Sequence, residues 1–228
     1  MSYNMPMLDD RRTYFDTYWQ RQPVDVADPR AVQRAGIIYR LLEGKRGKML
    51  DAGCGRGLAL DYFAERDYDV TGADISPDAV RLVEQKGHRG FVLDLERETI
   101  DGKYNIVLCL EVLQQLFDPE KVLRKLFEVV ADDGLLVVSL PNEFHIVSRL
   151  RILLGISHLG HFEHSHLHLF SPARNRELLS DPEYVIASQK HIPIIPPRLK
   201  ILSALFMPLV QWLPSLFALS SIYLVRKK

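Results

Sequence analysis

One heptapeptide carries the clearest chemical signal in the chain: Asp51-Ala-Gly53-Cys-Gly55-Arg-Gly57. It follows a short apolar run, Lys48–Ala52, and precedes a stretch with helical apolar spacing at Leu58, Tyr62 and Phe63. Glycines at such a turn let the backbone bend tightly and lie close against a ligand. The helix that follows offers unpaired N–H groups to an anion. The spacing is Gly-x-Gly-x-Gly, whereas the dinucleotide fingerprint is Gly-x-Gly-x-x-Gly, so a nicotinamide or flavin site is disfavoured. Two carboxylates stand in matching places downstream. Asp74 closes an apolar run in Thr71-Gly-Ala-Asp-Ile, 17 residues after Gly57, where a doubly wound fold holds ribose hydroxyls. Asp94 closes Phe91-Val-Leu-Asp and can accept from the exocyclic amine of a purine. Each is also the residue type of an ordinary solvated turn.

A second group has the chemistry of proton transfer. Glu111, His145, His166 and His168 are the candidate general bases. His166 and His168 alternate, so in an extended segment both project to one side. They stand just before Ser171-Pro172, a helix start that would fix their position. His168 is the preferred base. Five of the eight histidines fall between 158 and 168, yet no acidic or cysteine partner completes a familiar ligand pattern, and no metal is predicted. Cys54 and Cys109 read as small core residues rather than nucleophiles.

The elements that must position these groups alternate. Apolar runs at Lys48–Ala52, Tyr68–Ala73, Phe91–Leu93, Tyr104–Leu110 and Gly134–Leu140 are separated by helical patterns at Leu58–Arg66, Pro77–Lys86 and Pro119–Val130. That order predicts a parallel sheet with helices on both faces. Before it, helices are predicted around Asp9–Gln20 and Pro29–Glu43; Tyr14-Phe15-x-x-Tyr18-Trp19 in the first is an aromatic stripe that either packs onto the domain or closes over its ligands. After it come a helix at Phe144–Leu154, the irregular His158–Phe170, a helix from Ser171-Pro172 to Leu179 and a strand at Tyr184–His191. Ile201–Leu219 is long enough by count to cross a membrane. Pro208, Gln211 and Pro214 interrupt it and a strand at Ser221–Arg226 follows, so it is expected to be a broken segment packed on the domain or lining a pocket. Apolar surface left exposed there would serve a homodimer or a peripheral membrane contact.

The chain has 228 residues, 47% of them hydrophobic, with 29 basic and 29 acidic side chains. This zero net charge argues against a nucleic-acid binder, which needs a basic surface. Two cysteines and a charged N-terminal stretch point to a reduced, cytoplasmic protein without a disulfide framework.

Met49-Leu-Asp-Ala-Gly-Cys-Gly-Arg-Gly57, Gly72-Ala-Asp-Ile-Ser-Pro77 and Tyr104-Asn-Ile-Val-Leu-Cys-Leu-Glu-Val-Leu113, with Asp118-Pro119, resemble the class I S-adenosylmethionine-dependent methyltransferases over roughly residues 45–142. The resemblance implies a Rossmann-like α/β fold, a seven-stranded mostly parallel sheet with an antiparallel last strand. It implies a domain at 47–228 with a substrate-side insertion at about 143–182, behind an N-terminal helical cap at 1–46. It places the cofactor against Asp51, Gly53, Gly55, Gly57, Asp74, Ile75, Asp94, Leu95 and Leu110, with Glu111 at the transfer site and the insertion over a small-molecule acceptor. Leu110-Glu-Val-Leu113 resembles the ubiquinone-biosynthesis O-methyltransferases, although Gln114-Gln115 replaces the Glu-His of that group. Leu113-Gln114, Ser139-Leu-Pro-Asn142 and His166-Leu-His-Leu-Phe170 resemble the MetW family of methionine biosynthesis, which acts with an acyltransferase. The last of these, with Trp212-Leu-Pro-Ser-Leu-Phe217, is also similar to methyltransferases of polysaccharide and natural-product clusters. O-methylation of a small molecule is the leading expectation, and a non-catalytic cofactor-binding accessory role is the alternative.

Overall fold

A computed structural model describes residues 10–21, 28–156 and 166–228. Helices α1 (Asp10–Arg21) and α2 (Pro29–Leu41) precede the alternating core. That core runs β1 (Lys48–Ala52), α3 (Leu58–Ala64), β2 (Asp69–Asp74), α4 (Pro77–Gln85), β3 (Arg89–Val92), β4 (Tyr104–Leu110), α5 (Pro119–Val129) and β5 (Val130–Pro141). It is followed by α6 (Ile146–Leu153), α7 (Pro172–Leu178), β6 (Tyr184–Pro193), α8 (Lys200–Trp212), α9 (Pro214–Phe217) and β7 (Ala218–Lys227).

The seven strands form one sheet in the order β3-β2-β1-β4-β5-β7-β6. β1 to β5 are mutually parallel, and β7 lies antiparallel between β5 and β6. The predicted doubly wound sheet with a reversed last strand is therefore present. Its central strands are buried on both faces because successive side chains point opposite ways. Met49, Ile106 and Leu108 pack with Ile38 of α2 and Phe63 of α3. Their neighbours Leu50, Val107 and Cys109 pack with Val122 and Leu126 of α5. Four helices open on the same two-residue device: Asp28-Pro29, Ser76-Pro77, Asp118-Pro119 and Ser171-Pro172. In each, the first side chain accepts from a backbone N–H of the first turn, while proline occupies a position whose N–H has no helical partner.

Two expectations need correction. β5 begins at Val130 rather than Gly134, with its pairing to β4 shifting register between Tyr104 and Ile106. Pro208 does not break the apolar C-terminal segment: α8 continues through it and ends at Trp212, before Pro214. A mid-helix proline leaves the carbonyl four residues back without its amide, and here that residue, Ala204, is exposed to water. Among the described side chains of α8, Val210 alone is fully buried. Among the described residues no helix is long and apolar enough to cross a membrane. Of the predicted irregular histidine segment, residues 157–165 lie outside the described residues, His158, His161 and His164 with them.

Asn142, just past β5, ties the late segment to the core. Its Nδ2 donates to the carbonyls of Ala218 (2.8 Å), Ser215 (3.1 Å) and Pro214 (3.3 Å), and its backbone N–H donates to Leu219 O (2.8 Å). Removing the amide strands buried carbonyls. Asn142→Ala is expected to lower stability by about 1–3 kcal/mol in chemical denaturation; an unchanged midpoint would show that the α9–β7 turn holds itself.

Candidate active site

Parallel strands deliver their C-terminal ends to one edge, and the loops there enclose a crevice of about 880 Å³. The glycine loop forms its floor. Gly53 (φ 86°) and Gly55 (φ 49°) are in the left-handed region that L side chains resist. A Cβ on Gly53 would come within 2.3 Å of Val112, and one on Gly55 within 2.5 Å of the Trp19 indole. Gly57 (φ 77°) turns the chain into α3 instead of lining the crevice.

Asp74 binds this loop to the end of β2. Its Oδ2 accepts from Gly55 N–H (2.8 Å) and its Oδ1 from Ser76 N–H (3.0 Å). Burial pushes its pKa up to about 6, against the lowering effect of the Ser76 and Gly55 amides. Asp51 is raised further, to about 7, by burial and then by the charge of Asp74, opposed by Arg34. Among the described residues its Oδ1 has no hydrogen-bond partner, nor has the buried Oε1 of Gln114 in the same crevice. Ile75, Asp94, Leu95 and Leu110 also line the space. Asp94 Oδ1 accepts from Glu96 N–H (2.9 Å), which folds the turn after β3. Burial raises both cysteine thiols, so neither is a ready nucleophile.

Glu111 sits at the end of β4 with φ 59°, an uncommon conformation for a residue other than glycine. Its surroundings hold it there: its N–H donates to Ser139 O (3.1 Å), and its Oε1 receives Ser139 Oγ (3.0 Å) and Arg34 Nη2 (3.1 Å). The two predicted histidines part company. His166 lines the crevice, with Nδ1 2.8 Å from Glu143 Oε1. His168 is not among the lining residues; its ring stacks on Phe170 at 6.0 Å. The Leu167 and His168 amides both donate to Gln114 O (2.8 and 3.1 Å), so this strip is pinned to the turn after β4.

α1 lies across the mouth and touches every loop of the floor. Arg11 pairs with Glu96 after β3, Asp16 accepts from Ser76 after β2, and Arg56 of the glycine loop donates to the Trp19 carbonyl. Phe15, Tyr18 and Trp19, from the aromatic stripe, line the crevice.

Arg34, Ser139 and Glu143 escaped the sequence reading. Glu143 and Ser139 could have been found by asking what stands at or just past the end of every parallel strand. Arg34 has no local signal, since its partner is 77 positions away in the chain.

Glycine loop, strand-end acids and sheet order together make a doubly wound domain with its crevice at the carboxyl ends of the parallel strands. Residues 21–188 match the family described as a methyltransferase domain. The chain is 30% identical over 118 residues to a ubiquinone biosynthesis O-methyltransferase of Pectobacterium atrosepticum, covering 48% of this chain and 49% of that one. It is 25% identical over 172 residues to the protein of that name from Bordetella avium, covering 70% of each. The chain thus spans about half the length of the first of these curated relatives. Magnesium protoporphyrin IX methyltransferase from Synechocystis PCC 6803, solved with bound S-adenosylhomocysteine, superposes with a TM-score of 0.69 at 20% identity over 96% of this chain and 99% of that one. The chain belongs to the methyltransferase domain family.

The residues lining the crevice suit S-adenosylmethionine: Asp51 Oδ1 and Gln114 Oε1 are buried acceptors with no partner among the described residues, matched to a ligand that carries donors and a positive charge. The raised carboxylates carry a pH signature. A native pKa above the unfolded value means that the folded state binds more protons between the two. Stability is then highest below the unfolded pKa near 3.8 and falls as pH rises through about 7 for Asp51. Asp51→Asn removes that loss. In ligand-free protein the variant is expected to gain clearly more stability over wild type at pH 8 than at pH 5, where less than half of the loss has accumulated, a difference on the order of a few kcal/mol in thermal melts. An equal offset at both pH values would contradict the assignment.

Proposed function

We propose that the chain transfers the methyl group of S-adenosylmethionine to an oxygen of a small molecule, with His166 as the general base and Glu143 as its positioning partner. The observation that carries this reading is the His166–Glu143 contact, 2.8 Å long with both side chains about 10% exposed, in the wall of the crevice that contains the glycine loop. An imidazole oriented by a carboxylate takes a proton readily, because the carboxylate stabilises the imidazolium that forms. The O-methyltransferase names of the curated relatives support oxygen as the acceptor atom.

Asp74 is the ribose ligand in this reading. A carboxylate offers about four lone-pair positions; Asp74 spends two on Gly55 and Ser76 and keeps acceptor capacity for both hydroxyls. Gly53 and Gly55 bring backbone against the amino-acid end of the cofactor, and Asp94 and Leu95 meet the adenine. When bound, S-adenosylmethionine supplies a methyl group made electrophilic by its sulfonium. The chain's residues hold the acceptor in line with that carbon, exclude water beneath α1, and move the hydroxyl proton to the His166 ring. Glu111, engaged by Arg34 and Ser139, shapes the wall and does not serve as the base. His168 fixes the strip through its backbone.

The test is release of S-adenosylhomocysteine when the protein is supplied with a metabolite extract. His166→Gln is expected to lower kcat about 10²–10⁴-fold with cofactor affinity retained, and His168→Gln to stay near wild type. Wild-type turnover by His166→Gln would remove the base from His166. Tight cofactor binding with no turnover by the wild-type protein, and a co-purifying acyltransferase, would favour the accessory role.

A further inference from the structure

Among the described residues, every exposed large apolar side chain apart from Val32 and Phe117 lies between positions 144 and 212. These residues belong to the segments that leave the C-terminal edge of the sheet, the edge that holds the crevice. α6 shows the anomaly most plainly. Five of its eight residues are Ile, Val or Leu, yet none of the eight is buried. Leu153 is 80% exposed, and Leu154, just past the helix, 70%. α8 repeats the pattern, with Ile201 80% and Trp212 76% exposed. The two segments leave the strands that flank β7 on either side: Pro141 of β5 pairs with Ser220 of β7, and Pro193 of β6 pairs with Ala218. Asn142 staples the first to the second through the α9 carbonyls.

The charges around this apolar rim are one-sided. Residues 144–156 and 194–217 contain Arg149, Arg151, Arg198 and Lys200 and not one of the 29 acidic residues of a chain that is neutral overall. Apolar side chains interleaved with cations, an exposed tryptophan and no carboxylate describe a surface that lies in the headgroup layer of an anionic membrane.

We infer that this face docks the protein on anionic lipid bilayers, with α6 and α8 seated in the headgroup region. α6 also presents Ser148, with its cap His145, to the crevice, so the docked face adjoins the acceptor end of the site. The inference stands whichever acceptor the crevice takes.

Flotation of the full chain with vesicles decides it. Vesicles of phosphatidylcholine containing phosphatidylglycerol are expected to carry the protein, phosphatidylcholine alone far less, and high salt is expected to release part of it. Leu153→Glu with Ile201→Glu should weaken partitioning roughly tenfold or more, since each residue gives up burial of a large apolar side chain. Neither residue lines the crevice, so S-adenosylhomocysteine binding should be unchanged and reports that the variant is folded. The uncharged pair Leu153→Gln with Ile201→Gln should weaken partitioning in the same direction. Absence of binding to the anionic vesicles, or equal binding by the variants, overturns the inference. So does a concentration-dependent dimer that these substitutions dissociate while vesicles capture nothing, which would make the face a contact between copies.

Discussion

The buried carboxylate of Asp74 is the constraint on which the rest of the site depends. It stands at the end of β2 and receives one N–H from the glycine loop after β1 and one from the turn that opens α4. A carboxylate accepts without donating, so both loops must turn amides toward it, and Gly55 must take a left-handed conformation to do so. Burial makes the charged form unfavourable, and the two amides offset part of that effect. A second buried acid, Asp51, raises the local electrostatic strain. The ligand-free crevice is thus rich in acceptor capacity, suited to a ligand that brings hydroxyls and a positive charge.

The N-terminal helix exploits the same arrangement. Ser76 caps α4 with its Oγ, and that hydroxyl also donates to Asp16 of α1. Arg11 and Trp19 reach the loops after β3 and β1. α1 is therefore fastened to the three turns that form the floor and, through Asp16 and Gln20 against Asp78, to the first turn of α4. The aromatic residues of α1 exclude water from the crevice as long as the loops keep their shape.

The sheet and the glycine-loop side of the crevice were legible because their determinants are local. β4 reads as a nearly all-apolar run, Ser76-Pro77 announces α4, and the glycines and Asp74 stand at fixed distances from the strands that carry them. The acceptor half was less legible. The Arg34–Glu111 pair joins α2 to the end of β4, and His166 finds Glu143 across 23 residues, contacts that appear only once the sheet brings the segments together. The alternation of His166 and His168 suggested one shared side, but the Gln114 carbonyl captures both following amides and the chain leaves regular extension there. Pro208 misled because proline breaks helices by stranding a carbonyl, a penalty that water removes on an exposed face.

The central claim is that the glycine loop and Asp74 form an S-adenosylmethionine site. Calorimetric titration of the full chain with S-adenosylmethionine and S-adenosylhomocysteine tests it most directly, with Asp74→Asn titrated alongside. Wild-type protein should bind both ligands and not NAD, and the variant should bind both roughly tenfold or more weakly, as expected for losing hydrogen bonds to a charged acceptor. Unchanged affinity in Asp74→Asn, or a preference for NAD over either ligand, would contradict the account.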